Sequence, residues 1–484
     1  MNLHRRALLA ALPAGLLSSP VAAQDRAPPP APRPDPLPAP QSTRHTLTVG
    51  GRVLNFTATA GSVTLTDGQG AAQAAVAYVA YTLDGAVAST RPVTFAVNGG
   101  PGASSAWLHL GAIGPWRLEL ADLVPSTPPH LLDNAETWLD FTDLVFIDPV
   151  GTGYSRFLAP GEDLRKRVWS VAGDIEAIAG AIRRWLVQAG RMAAPKFLVG
   201  ESYGGFRGPR LARSLAQSHG VGLAGLVLVS PVLDFGGRSN AMEPLYFAYA
   251  LPTLAAAARR AAGRADLADA EAYASGDYMA ELLRGADPAA VARRSARVAA
   301  FTGLDPALVR RHGGMIDGPI YQRQAAPGRL PSLYDLGVAM PDPEPTAPYS
   351  RQPDAVLDRL RTPLTAAMTE LYTARLGWRV DAPYELLNDA VNRAWDWGGG
   401  RTGAEAMSHL RTALALDPAL RVVVAHGLYD VVTPYFRSAL LLDTIEPAAG
   451  RDRVVLHAWP GGHMFYDRTA GRAALREAAA ALYR

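Results

Sequence analysis

Residues 196–205 read KFLVGESYGG, a short apolar run that leads into the pentapeptide G-E-S-Y-G. A strand that turns sharply into a helix through a serine flanked by glycines is a nucleophile elbow. The context fits, because residues 203–217 carry the apolar spacing of a helix. The glycines allow strand and helix to pack closely, and the turn exposes the serine hydroxyl. We therefore predict that Ser202 is a catalytic nucleophile and not part of a structural turn.

Short apolar strands alternate with helices along the rest of the sequence. Residues 45–83 alternate apolar and polar side chains between turn signals, which predicts antiparallel hairpins. Apolar runs predict further strands at 92–97, 144–147, 196–199, 225–229, 421–425 and 454–457, and helical spacing predicts helices at 171–186 and 469–483. This order predicts an α/β fold with a doubly wound, mostly parallel sheet.

The N-terminal segment has the pattern of an export signal. Residues 1–23 combine a basic start, an apolar stretch and a small-residue cleavage pattern, which predicts a signal peptide cleaved near Ala23. Residues 24–44 are rich in proline and are predicted to form a linker. The mature protein is therefore expected to be periplasmic or secreted, by either the general or the twin-arginine route.

The predicted hydrolase core is interrupted by a long insertion. The two parts of the core are residues 45–235 and residues 405–484. Between them, residues 236–404 are rich in Ala and Arg and read as short helices, which we interpret as a cap over the active site. An independent second domain is the alternative interpretation of this stretch.

Composition excludes several classes of protein. The 484 residues are 49% hydrophobic and 19% charged, which is typical of a globular chain. The sequence contains no Cys, so it has no disulfide scaffold, thiolate metal site or Cys nucleophile. The net charge of +3 without a long basic run argues against a nucleic-acid partner. No stable membrane span, metal or cofactor is predicted, and the sequence leaves the oligomeric state open.

A serine nucleophile needs a base, and the base needs an orienting carboxylate. In α/β-hydrolases the acid and then the histidine follow the serine, each after a late strand. The predicted strand 421–425 leads into Asp430, and the predicted strand 454–457 leads into a glycine-rich loop that contains His463. The order and the placement predict a Ser-Asp-His triad.

Other titratable residues are weaker candidates. Asp234 follows the predicted strand 225–229 and is an alternative acid. The residues predicted to have packing, capping or other structural roles are His109, His426, His457, Asp143 and Asp148.

An oxyanion hole needs two N–H donors. The residue after the nucleophile, Tyr203, supplies one, and a loop after an earlier strand supplies the other. Residues 98–102, NGGPG, follow the predicted strand 92–97. The Gly-Gly pair allows the backbone to approach a substrate without a clash from a Cβ atom.

Four segments together resemble the serine carboxypeptidase family. They are NGGPG at 98–102 with two serines behind it, DPVGTGYS at 148–155, GESYG at 200–204 and GGHM at 461–464. They occur in one order over about residues 90–235 and 420–470. The resemblance implies an α/β-hydrolase core with a helical insertion, and the absence of Cys is consistent with a bacterial-type relative.

The resemblance implies a role for each catalytic residue. Ser202 attacks the substrate, His463 acts as the base, and Asp430 orients His463. The backbone N–H groups of Gly100 and Tyr203 form the oxyanion hole.

The resemblance also implies a site for the terminal carboxylate of a peptide, formed by Asn98 and Glu201, with Gly99 beside them. The family carries a further Glu at the position of Ala112, which hydrogen-bonds the Glu next to the nucleophile. Without that partner, we expect Glu201 to be ionised over more of the pH range. This departure weakens the prediction of exopeptidase specificity but leaves the triad unchanged.

The sequence therefore predicts an exported serine hydrolase acting on a peptide or a small acyl substrate. A serine carboxypeptidase that releases C-terminal residues through an acyl-enzyme is the first hypothesis. An esterase or acyltransferase with the same triad is the second, and an exported binding protein with a relict site is the third.

Overall fold

A ten-stranded sheet lies at the centre of a computed structural model that describes residues 36–237, 243–347 and 352–484. The predicted signal peptide and residues 24–35 of the predicted linker lie outside these ranges. The strands, including short pairs beside the central sheet, are β1 Gln41–Val49, β2 Arg52–Thr66, β3 Ala72–Leu83, β4 Val93–Val97, β5 Trp116–Arg117, β6 Leu132–Asp133, β7 Asp143–Ile147, β8 Arg156–Phe157, β9 Lys196–Glu201, β10 Gly225–Val229, β11 Arg329–Pro331, β12 Ala339–Pro341, β13 Arg421–Gly427 and β14 Val454–Trp459.

The strand order across the sheet is β1-β2-β3-β7-β4-β9-β10-β13-β14, and β8 pairs with β3. The pairs from β1 to β7 are antiparallel, whereas every pair from β7 to β14 is parallel. Parallel strands place their carboxyl ends at one edge of a sheet, where α/β proteins bind their ligands. The ends of β4, β9, β13 and β14 therefore converge on one edge.

Helices cover both faces of the sheet. They are α1 Glu162–Val168, α2 Val171–Gln188, α3 Tyr203–Ser218, α4 Pro244–Arg259, α5 Ala268–Ser275, α6 Asp277–Leu283, α7 Pro288–Thr302, α8 Pro306–Arg311, α9 Gly318–Gln324, α10 Leu357–Glu370, α11 Asp389–Ala394, α12 Met407–Leu416, α13 Tyr435–Leu442 and α14 Thr469–Ala480. On β4, Phe95 packs in one buried cluster with Ile182 of α2, whereas the next residue, Ala96, packs in another with Leu475 of α14. This alternation is that of a sheet buried on both faces, and it confirms the predicted α/β-hydrolase fold.

The structure extends several predicted elements. β1 begins at Gln41, so residues 41–44, predicted as linker, are strand and pair with residues 57–60 of β2. β13 and β14 each run two residues further than predicted, because the parallel ladder continues through the pairs His426–Ala458 and Gly427–Trp459. The last helix ends at Ala480 and continues only as a 3₁₀ turn.

Between β10 and β13 the described residues are mainly helical, from α4 to α12. The last part of this stretch hydrogen-bonds to loops of the sheet: Asn388 N–H donates to the Gly102 carbonyl at 2.8 Å, and Glu385 N–H donates to the Gly153 carbonyl at 3.0 Å. The boundaries of the cap stay a prediction. Within the described ranges, no helix combines the length and apolar character needed to cross a bilayer.

Candidate active site

The turn between β9 and α3 holds Ser202 in a strained backbone conformation. Its φ of 60° and ψ of −119° lie in a region that residues other than glycine rarely occupy. Its N–H donates to the carbonyl of Val229 on β10 at 2.9 Å. Its side chain makes no capping hydrogen bond to α3, so the hydroxyl stands at the helix N-terminus without being used by the helix, as in a nucleophile elbow.

The glycines of the pentapeptide are required by the space around the turn. A Cβ atom on Gly200 would lie 2.1 Å from the carbonyl oxygen of Gly204. A Cβ atom on Gly204 would lie 2.3 Å from the carbonyl oxygen of Val97 at the end of β4. Any side chain at either position would therefore push β9, α3 and β4 apart.

Asp430 and His463 form a buried hydrogen-bonded pair, with 2.6 Å between Oδ2 and Nδ1. The Asp430 Oδ1 atom accepts from the backbone N–H groups of Val432 at 2.9 Å and Thr433 at 3.0 Å. The Thr433 hydroxyl donates to Oδ2 at 2.5 Å. Because an ionised carboxylate only accepts hydrogen bonds, the imidazole proton lies on Nδ1 and Nε2 carries the free lone pair.

The environment of His463 makes it a stronger base than a free histidine. Burial lowers its pKa, but the charge of Asp430, the hydrogen bond to Asp430 and the charge of Glu201 outweigh burial, and the net pKa lies above 6.5. His463 is therefore neutral, and able to accept a proton, only above this raised pKa.

Ser202 and His463 line one cavity of about 80 Å³. Asn98, Gly99, Gly100 and Glu201 also lie on its wall, and none of the lining side chains is Lys or Arg. The remaining wall is apolar or aromatic and is formed by Ala103, Trp107, Tyr334, Leu357, Leu387 and Met464. The cavity therefore presents a hydroxyl, an imidazole and a carboxyl group beside a small apolar pocket.

Two backbone N–H groups flank the nucleophile. A Cβ atom on Gly99 would lie 2.5 Å from the Tyr203 nitrogen and 3.0 Å from the Ser202 Cβ, so the NGGPG loop passes directly over the elbow. Gly100 has φ 99°, which L side chains rarely adopt. In the described part of the chain, the N–H groups of Gly100 and Tyr203 have no backbone acceptor, which leaves both available to a substrate oxygen.

Glu201 is fully buried in a cluster of neutral donors. Its Oε2 atom accepts from the Asn98 side-chain amide at 2.8 Å and from the Tyr466 hydroxyl at 2.7 Å. The Asn98 Oδ1 atom in turn accepts from the Leu108 N–H at 3.0 Å, which fixes the orientation of the amide. Burial raises the pKa of Glu201 to about 7, although the charge of His463 and the hydrogen bonds from Tyr466 and Asn98 lower it.

The expectation that loss of the partner at Ala112 leaves Glu201 ionised over more of the pH range stays a prediction, and burial acts against it because burial raises the pKa of Glu201. Tyr466 was missed, although it lies three residues after His463. Gly111 leaves space for the Tyr466 ring, because a Cβ atom on Gly111 would lie 2.9 Å from the Tyr466 Cε2 atom.

The weaker candidates lie outside the cavity. Asp234 accepts from the Gly236 N–H at 2.5 Å and forms an ion pair with Arg437, and it does not contact His463. The predicted structural residues have local partners: His109 bonds Tyr81 and stacks on Phe146, His426 bonds Ser438, His457 stacks on Trp459, and Asp143 pairs with Arg91 and Arg191.

Asp148 is a buried acid whose ionisation should cost stability. Burial raises its pKa to about 7, while hydrogen bonds from the Ser105 N–H and the Tyr384 hydroxyl lower it. Between about pH 4 and pH 7 the unfolded chain loses this proton and the folded chain keeps it, so stability falls as the pH rises, by up to roughly 4 kcal/mol.

Asp148→Asn keeps an oxygen for Ser105 and removes the charge. We expect the Tm of the variant minus the Tm of the wild type to increase from pH 5 to pH 8. A Tm difference that does not change with pH would contradict this.

Comparison with known proteins agrees with the sequence motifs. The protein-family model described as serine carboxypeptidase matches residues 52–262. "Serine carboxypeptidase-like 45" of Arabidopsis thaliana is 28% identical over 174 residues, which is 34% of this chain and 34% of that protein. "Pheromone-processing carboxypeptidase kex1" of Schizosaccharomyces pombe is 31% identical over 134 residues, which is 27% of this chain and 24% of that protein. The chain thus spans about a third or less of the length of these curated relatives.

Solved structures give a more distant likeness. The proline iminopeptidase of Mycobacterium smegmatis is 16% identical with a TM-score of 0.40, covering 87% of this chain and 99% of that one. A thermophilic esterase from Thermogutta terrifontis is 14% identical with a TM-score of 0.36, covering 88% and 99%. The fold assignment rests on the strand order and not on these scores.

The family match includes the NGGPG loop and the elbow and ends before Asp430 and His463. Those two residues are connected to the matched segment by the cavity that His463 shares with Ser202 and by the Ser230 bond to the His463 carbonyl. The family resemblance is nevertheless confirmed. Over residues 52–262, this chain is similar to the serine carboxypeptidases.

Proposed function

We propose that the protein is a serine carboxypeptidase that releases C-terminal residues from peptides. One observation carries the proposal: Ser202 and the Asp430-supported His463 line the same small cavity as the Asn98–Glu201 pair. The first group is suited to acyl transfer, and the second is suited to holding a carboxyl group next to the bond that is cleaved.

In the proposed reaction, His463 Nε2 takes the Ser202 proton as the Ser202 oxygen attacks the scissile carbonyl carbon. The N–H groups of Gly100 and Tyr203 stabilise the oxyanion that forms. The imidazolium then gives its proton to the leaving amine, and the C–N bond breaks to leave an acyl-enzyme. Water, deprotonated by His463, attacks the ester carbonyl carbon to form a tetrahedral adduct. The bond from that carbon to the Ser202 oxygen then breaks, His463 returns the proton to this oxygen, and the shortened peptide is released.

Substrate binding is proposed to require a protonated Glu201. A neutral carboxyl group donates a hydrogen bond to the substrate carboxylate, whereas an ionised one repels it. Asn98 donates through the second hydrogen of its amide, and the N–H of Gly99 lies on the same wall. The donors near the substrate carboxylate are thus neutral groups.

The test compares blocked dipeptides that end in a free acid with the same dipeptides ending in an amide. A carboxypeptidase loses most of its kcat/KM when the terminal carboxylate is amidated. Equal rates on the two series would reject the carboxypeptidase proposal in favour of an esterase or acyltransferase. That second candidate is favoured by the absence of Lys and Arg from the cavity lining and by the apolar wall.

Asn98→Ala should separate carboxylate binding from catalysis. It removes a donor to the substrate carboxylate, so KM for free-acid peptides should rise by about 10-fold to 100-fold, equivalent to about 1–3 kcal/mol. Ester substrates without a terminal carboxylate serve as the internal control and should change little. If both substrate types lose equally, Asn98 supports the loop through Leu108 and does not bind substrate.

Tyr466→Phe should change the pH dependence of free-acid substrates. Their kcat/KM is expected to fall above about pH 7 as Glu201 ionises. Removing the hydroxyl that stabilises the Glu201 anion raises the pKa of Glu201, so this alkaline limb should move upward by up to about one pH unit. Esters should not show the shift. An unchanged limb for free-acid peptides would mean that Glu201 does not control their binding.

We further propose that the protein is exported through the predicted N-terminal signal. A processed N-terminus at or near residue 24 in protein isolated from outside the cytoplasm would support this, and an intact residue 1 in the same sample would oppose it.

A further inference from the structure

The turn that follows β10 contacts both the nucleophile and the base. The Val229 carbonyl accepts from the Ser202 N–H at 2.9 Å, and the Val232 N–H donates to the Ser202 carbonyl at 3.2 Å. Between them, the Ser230 hydroxyl donates to the His463 carbonyl at 2.7 Å. One short turn therefore ties the elbow to the loop that carries the imidazole.

The same turn lies against the loop of the acid. The Thr433 hydroxyl oxygen is 2.5 Å from Asp430 Oδ2 and 3.1 Å from the Ser230 carbonyl oxygen. A hydroxyl has one proton, and the nearer, charged carboxylate takes it. Thr433 thus bonds Asp430 while it packs on Ser230, so the turn is adjacent to all three members of the proposed triad.

Ser230 is fully buried and has φ 43°. Residues other than glycine seldom adopt a positive φ, and such strain is concentrated at functional sites. Its N–H is held by the Ala425 carbonyl of β13 at 2.7 Å, so the strained turn is fixed to the neighbouring strand. Glycine would adopt this conformation without strain, but it has no hydroxyl for the bond to His463.

We infer that Ser230 is a positioning residue, whose hydroxyl fixes the His463 loop relative to the elbow so that the imidazole can accept the Ser202 proton. This inference rests on the proposed serine hydrolase chemistry, because Ser230 acts only through His463. The main chain of His463 is held on its other side by the Tyr334 carbonyl, which accepts from the His463 N–H at 2.6 Å. Loss of the Ser230 bond leaves the main chain of His463 with its bond to Tyr334, while the side chain keeps its bond to Asp430.

Loss of the Ser230 hydroxyl should lower the reaction rate more than it lowers the stability of the fold. Misplacement of a catalytic group by about 1 Å reduces rates by about 100-fold, whereas the hydrogen bonds around Asp430 and the strand ladder do not involve the Ser230 hydroxyl. A loosened His463 also feels the Asp430 charge less strongly. Its pKa should therefore move down toward the ordinary value.

The experiment measures the second-order rate constant for fluorophosphonate labelling of Ser202 between pH 5 and pH 9, together with Tm, in the full-length protein. Ser230→Ala removes the hydroxyl and keeps the Cβ atom. Ser230→Gly removes the hydroxyl and the backbone strain, so it decides the question if the alanine variant does not fold. Ser295→Ala is the matched control, because Ser295 is a buried serine on α7 outside the active-site cavity.

Both Ser230 variants should label about 10-fold to 100-fold more slowly than wild type per folded molecule, with the acid limb at lower pH. Ser295→Ala should keep the wild-type rate and limb. Wild-type labelling by Ser230→Gly, with an unshifted limb, would overturn the positioning role and leave the proposed function standing. Failure of the wild-type protein to label at Ser202 would instead overturn the proposed function itself.

Discussion

Ser202→Ala should reduce turnover of any substrate by at least about 10⁴-fold while leaving the fold intact. The substitution removes the proposed nucleophile, and the residual rate comes only from the oxyanion donors and binding. Among the side chains that line the cavity, the only other hydroxyl belongs to Tyr334, which burial keeps protonated by raising its pKa. No neighbouring group is therefore placed to replace the serine.

The test measures the kcat of each purified variant on blocked peptides and on an activated ester. Ser275→Ala, at an exposed serine on α5, is the control for nonspecific effects of replacing a serine. Turnover close to wild type in Ser202→Ala on both substrates would remove the nucleophile and, with it, the proposed mechanism.

Asp430→Asn should produce the second large effect, a loss of kcat on the order of 10⁴-fold. All four polar contacts of Asp430 are donors: His463, Thr433 through its hydroxyl, and the N–H groups of Val432 and Thr433. An amide NH₂ group in this place would face donors and favour the wrong tautomer of the imidazole. Without the carboxylate charge, the pKa of His463 should also fall, which moves the acid limb of kcat/KM to lower pH.

Asp234→Asn is the matched control, because Asp234 follows the parallel strand β10 and is the alternative acid that the sequence offers. It binds Gly236 and Arg437 and not His463, so its kcat should stay near the wild-type value. A larger loss in Asp234→Asn than in Asp430→Asn would exchange the roles of the two acids.

The sequence predicted the sheet and the elbow because these features depend on local patterns. Apolar runs mark the parallel strands, and the glycines around Ser202 are fixed by contacts with the immediately adjacent β4 and α3. Asp430 and His463 were predicted to meet because each follows a late strand, in the order of acid and histidine that α/β-hydrolases use. The structure brings them to 2.6 Å.

The sequence did not predict the contacts that tune this site. Tyr466 reaches Glu201 from far along the chain, and Tyr334 of the inserted stretch holds the backbone of His463. Neither residue belongs to a recognisable sequence motif, and each contact depends on how segments that are far apart in the sequence pack together. The burial that raises the pKa of Glu201 to about 7 is likewise a property of the folded core, which the residue at position 112 alone does not indicate.

The most direct test of the account is peptide mapping of the wild-type protein after reaction with a fluorophosphonate. We expect one covalent adduct, on the peptide that contains Ser202. Its rate of formation should increase with pH through the raised pKa of His463. An adduct on another residue, or no adduct in folded protein at a pH where His463 is neutral, would contradict the claim that Ser202 is an activated nucleophile.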